Sequence, residues 1–161
     1  MTDLFLKVQI HKEQKLPFVL FCKPDSDRIV GVFQKNDHLY FLENFEEKGF
    51  VFAPFDASMI PYFPLEYSHV MVDKVPVSDY FFKSDKAKPK DSFGRDFFTE
   101  LVSEAVQEIQ NHHFSKVVLS RKEEVPLPDF DIELVMKKMI GVYKNAFRYV
   151  FYHPKIGTWM G

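Results

Sequence analysis

The hydrophobic period changes from β-like to helical near Ser92 of this 161-residue chain, and that change restricts the fold more than any single motif. Between Pro17 and about Val72, apolar residues come in short β-like runs separated by turn chemistry. Phe18-Val19-Leu20-Phe21 ends at a loop, Lys23-Pro24-Asp25-Ser26-Asp27. Residues 28–33 form the next run, and Lys35-Asn36-Asp37 reads as a hairpin turn before Leu39-Tyr40-Phe41-Leu42. Gly49-Phe50-Val51-Phe52-Ala53 is closed by Pro54, and residues 67–72 supply a last run.

From about Ser92 the spacing becomes helical. Phe97, Phe98, Leu101, Val102, Ala105, Val106 and Ile109 recur at steps of three and four, with Glu100, Ser103, Glu104 and Gln107 on the other face. Beyond Pro126 and Pro128, Asp129 or Asp131 can cap a second helix carrying Ile132, Val135, Met136, Met139, Ile140 and Tyr143 on one side. Residues 148–152 return to a strand pattern, and residues 157–161 begin another. These patterns predict an α+β fold: mostly antiparallel sheet with two packed helices. The organisation expected is an aromatic-rich β meander over residues 1–75, a connector over 76–92 rich in Lys and Pro, and a third part over 93–161. The first segment reads two ways. Leu4, Leu6, Val8 and Ile10 alternate as a strand would, whereas Leu4, Phe5 and Val8 would face one side of a helix; the alternation is the cleaner pattern.

Bulk properties exclude several classes. A formal net charge of −2 points to no nucleic-acid partner. No apolar run approaches the ~18 residues of a membrane-spanning helix, so no membrane partner is expected. The N-terminus lacks signal-peptide character, and one cysteine, Cys22, permits no internal disulfide, so the expected location is the cytoplasm. Nineteen phenylalanines imply a large buried area or a surface meant to be covered.

The candidate for chemistry is Lys116, set in the apolar run Phe114-Ser115-Lys116-Val117-Val118-Leu119-Ser120-Arg121. On a strand, Phe114, Lys116, Val118 and Ser120 share a face that carries no carboxylate. Burial without a partner favours the neutral amine, which can take a proton from water; an edge strand guarded by a lysine is the other reading. His112 and His113 are adjacent, pointing about 100° apart on a helix, and cannot chelate as an i, i+4 pair would. His11, His38, His69 and His153 are scattered singly, Cys22 reads as a small core residue, and Met136 and Met139 as core filling. There is no Gly-rich phosphate loop, CxxC, G-x-S-x-G or HExxH motif.

The helix with its short polar turn and the run at 114–121 resemble the start of the chorismate-binding domain. So do Tyr149-Val150-Phe151-Tyr152-His153-Pro154 and Gly157-Thr158-Trp159-Met160-Gly161 at their distance downstream. That family includes isochorismate synthases, salicylate synthases, and the large subunits of anthranilate and aminodeoxychorismate synthases. The resemblance covers roughly residues 92–161 and implies an incomplete part of the anthranilate synthase component I-like fold. Where the water-using members carry a lysine, anthranilate synthases usually carry glutamine. Lys116 therefore implies the general base of an isochorismate synthase acting on chorismate, with a salicylate synthase or a stand-alone binding module as alternatives. In the family, the glycine that Gly161 resembles is followed by Ala-Thr/Ser-Pro-Glu, whose glutamate is the general acid, and later by glutamates that hold Mg²⁺. The expectation is thus an N-terminal portion of a Mg²⁺-dependent isomerase, inactive alone, with metal ligands and substrate-binding groups beyond Gly161, and prone to self-association. The resemblance leaves the pathway open, among menaquinone, catechol siderophore and salicylate synthesis.

Overall fold

The computed structural model describes residues 3–56, 59–75, 92–126 and 130–161. The chain divides into two compact units, Met1–Phe82 with Asp131–Gly161, and Lys83–Phe130. The first unit contains two antiparallel sheets. The larger joins β1 (Phe18–Cys22), β2 (Arg28–Gln34), β6 (Ser68–Lys74), β7 (Arg148–His153) and β8 (Gly157–Met160) in the order β6-β2-β1-β7-β8. The smaller joins β3 (Tyr40–Phe41), β4 (Gly49–Val51) and β5 (Pro61–Pro64) in the order β3-β5-β4. Two helices, α1 (Asp3–Glu13) and α3 (Ile132–Val142), complete it. The α+β class expected from the period change is the class observed.

The ladder registers sort the larger sheet into two faces. Val19 pairs with Val32 and Phe151, and Phe151 with Trp159, so these four share one face. The smaller sheet covers that face: Phe52 lies 4.2 Å and Phe63 6.0 Å, ring to ring, from Phe151. Phe18, Phe33 and Tyr152 look the other way, toward His11 of α1. Lys137 of α3 lies over the Phe5 ring of α1, so the two helices are neighbours. β1 is central and its Phe18, Val19, Leu20 and Cys22 are fully buried.

Residues 3–13 form a helix rather than the alternating strand. The buried residues are Leu4, Phe5, Val8 and His11, one face at helical spacing, while Leu6 is exposed. The alternation counted Leu6 and Ile10 as inward and left out His11. Lys15 then takes a left-handed conformation (φ 54°), and Leu16 N–H bonds back to the His11 carbonyl, closing the helix end. The expected hairpin at residues 35–37 is also corrected. β2 pairs with β6, and β3 pairs with β5 in the other sheet. The buried Gln34 amide donates to the carbonyls of Asn36 and His38, which turns the chain out of the first sheet. β5, bracketed by Pro61 and Pro64, carried no strand signal because proline donates nothing to a ladder. Asp131 caps α3, accepting from Leu134 N–H at 3.0 Å. Asp129 lies outside the described residues, as does the 76–92 connector apart from Ser92.

One buried charge ties three elements together. Arg148, 2% exposed, opens β7 opposite Cys22 of β1. One guanidinium nitrogen donates to the carbonyls of Tyr143, Lys144 and Ala146 just past α3, and the other to Cys22 Sγ at 2.7 Å. No carboxylate pairs with it among the described residues. The carbonyl dipoles at the negative end of α3 offset the charge.

Arg148→Met removes a donor from three carbonyls, of which those of Tyr143 and Lys144 keep the N–H groups of Ala146 and Asp25, and is expected to cost on the order of 3 kcal/mol in urea unfolding. Cys22→Ala should cost more than Cys22→Ser, because serine keeps an acceptor. His11 is buried, with Nδ1 3.3 Å from the Pro17 carbonyl. Burial holds its pKa below the usual 6.5, helped by Lys7 and His69 and opposed by that carbonyl. The unfolded chain then binds the proton more readily, so this stability is complete above about pH 6.5 and falls as acid is added. The urea midpoint should drop between about pH 7 and about pH 5, and His11→Gln should flatten the drop. Finally, both edge strands of the larger sheet expose apolar side chains: Val70 and Val72 on β6, Trp159 on β8. Light scattering is expected to show a mass that rises with concentration, and Val70→Lys with Val72→Lys should reduce the rise.

Candidate active site residues

The second unit is dominated by α2 (Ser92–Gln110). Its end is built from the two histidines. His112 adopts a left-handed conformation (φ 60°) and donates to the Ile109 carbonyl at 3.1 Å, while His113 N–H reaches Glu108 O at 3.1 Å. This pair of bonds satisfies carbonyls that the last turn would leave open. The exposed His113 ring is hydrogen-bonded to the Glu108 side chain. Both histidines therefore finish a helix.

Beyond them residues 114–126 form neither helix nor strand. Arg121 pairs with Glu123 at 3.2 Å and Lys122 with Glu124. The run carries no strand ladder among the described residues, which corrects the strand expected at 114–121. A β-prone sequence becomes a strand only when another strand supplies its hydrogen-bond partners. Lys116 is consequently exposed, as are its neighbours Val117 and Val118, and it forms no ion pair among the described residues. The polar face of α2 places Asp96, Glu100 and Glu104 along a shallow depression with Thr99, Ser103 and Gln107. No group of three or more His, Cys, Asp or Glu that could hold a metal ion occurs among the described residues. The Mg²⁺ implied by the resemblance thus has no fitting donor set among them.

In the first unit, the second and third quoted stretches come together as a hairpin. β7 and β8 pair from Val150 opposite Met160 to His153 opposite Gly157, which turns at φ 99°. Tyr149 and Gly161 exchange backbone hydrogen bonds at 2.8 and 3.1 Å, extending the ladder to the last residue. A Cβ on Gly161 would lie 2.8 Å from the Tyr149 ring, so the close approach depends on glycine there.

Single-residue spacing missed His11, His153 and Arg148, all of which are buried. For His11 the signal was its place seven residues after Leu4 on the helical face. For His153 it was the position ending the alternation of 148–152, just before Pro154.

No helix among the described residues is long and apolar enough to cross a membrane. No curated protein and no solved structure matches the chain. A family model does: that of the chorismate binding enzymes, over residues 69–161. The match takes in all of β6 but its first residue, α2, the run holding Lys116, α3 and the β7–β8 hairpin, more than half of the chain. The chain therefore belongs to the chorismate-binding enzyme family.

Proposed function

We propose that the protein serves as part of an isochorismate synthase in the cytoplasm, with Lys116 as general base. The observation that carries this reading is a lysine at that position of the run at 114–121, inside the family-matched residues. In the reaction, the neutral amine of Lys116 takes a proton from water and the resulting hydroxide bonds to C2 of chorismate. The ring double bonds shift as the C4–O bond breaks, and a general acid protonates the departing hydroxyl. Lysine is a competent base only when cover strips water from its head group. Lys116 is exposed, so the chemistry requires cover, an acid and a metal site that the described residues do not assemble.

Chorismate and Mg²⁺ are to be incubated with the 161-residue chain and, separately, with the protein translated from its full reading frame. The chain alone is expected to leave chorismate unchanged. The full translation product is expected to form isochorismate, and Lys116→Ala should lower its rate by roughly 10²–10⁴-fold. A rate unaffected by that substitution would remove Lys116 from the chemistry. Release of salicylate and pyruvate would move the assignment to a salicylate synthase.

A further inference from the structure

His153 is the last residue of β7 and is 2% exposed. Nδ1 accepts the backbone N–H of Lys155 at 3.1 Å, and Nε2 lies 3.4 Å from the carbonyl of His38. Only a neutral imidazole with its proton on Nε2 satisfies both partners. The ring also meets Phe63 of β5 edge to face, with centroids 6.4 Å apart. The surroundings come from three places. Lys155 lies in the β7–β8 turn, Asp37 and His38 lie in the segment entering β3, and Phe63 belongs to the smaller sheet. Asp37 is the one carboxylate among them, and it makes no ion pair with the ring.

We propose that His153 is a proton-released latch, whose neutral ring joins the β7–β8 hairpin to the β3-β5-β4 sheet and whose protonation opens that junction. The second proton must sit on Nδ1, where it faces the Lys155 N–H, so two donors meet without an acceptor between them. The cation also has to be accommodated against Phe63 with no paired carboxylate. Burial lowers the His153 pKa, as do Lys155 and the His38 ring, against the opposing effects of the His38 carbonyl and Asp37. The opening is local. The β1–β7 and β7–β8 ladders are backbone bonds that do not pass through the ring, so the larger sheet persists while the smaller one loosens. The latch thus lets acid change the contact between a family-matched hairpin and a sheet that precedes the matched residues.

Amide hydrogen exchange on the whole chain, corrected for intrinsic rates, tests this at about pH 7.5 and about pH 5.5. Protection of the Lys155 amide is expected to fall about tenfold with acid. The same fall is expected at Leu42 and Phe52, whose amides bond to Ile60 and Pro61 within the smaller sheet. Amides of the Val19–Phe151 ladder should keep their protection. In His153→Asn, Oδ1 can accept the Lys155 N–H without titrating, and the acid-dependent loss at these sites should vanish. Unchanged protection in the wild type, or a loss that persists in His153→Asn, would overturn the proposal and assign the effect to another group such as His11 or His38. Should that variant not fold, ¹⁵N shifts of the wild-type ring decide. Protonation of Nδ1 coinciding with loss of Lys155 protection supports the latch, and protonation while Lys155 stays protected overturns it.

Discussion

The guanidinium of Arg148 is the constraint around which the first unit is arranged. A permanently charged group is held at 2% exposure, and among the described residues its hydrogen-bond partners are carbonyls and a thiol. Such a charge is tolerable only where donors and acceptors are fixed, so the α3 exit, the start of β7 and the end of β1 must keep one mutual geometry. That geometry sets β7 beside β1, although more than a hundred residues separate them. It also sets the direction in which the β7–β8 hairpin leaves the sheet. Its Nε has no partner among the described residues. The grip is therefore strong at two of the three nitrogens and open at the third.

Much of this was legible in the sequence where local pattern and tertiary environment agree. The runs at 18–21, 28–33 and 148–152 became strands because their apolar side chains face two packed layers. α2 and α3 followed the 3.6-residue period, and Asp131 took the cap. Partners were not legible. Nothing local states that β2 pairs with β6 rather than with β3, a choice made by the buried Gln34 side chain and its two carbonyl acceptors. Short segments failed when a polar residue belonged to the buried face, as His11 does in α1.

The candidate base shows the same division. Residue type and family place Lys116 under suspicion, and period places its neighbours on a strand. A strand is a relation between two segments, however, and the described residues supply no second one. What the sequence carries at 114–121 is the capacity for a ladder. The helix end before it is already fixed by His112 and His113, so the run starts from a defined point and direction.

Trp159 is the only tryptophan in the sequence, half-exposed on the edge strand β8 and 5.9 Å from the Phe52 ring of the segment covering the larger sheet. The molecule thereby carries one indole, a fluorophore that can be excited apart from its seven tyrosines, placed where the hairpin, the covering aromatic segment and solvent meet. Its emission wavelength and quenching by acrylamide belong to that junction alone, so anything that covers or uncovers the edge of β8 becomes an optical signal without a label.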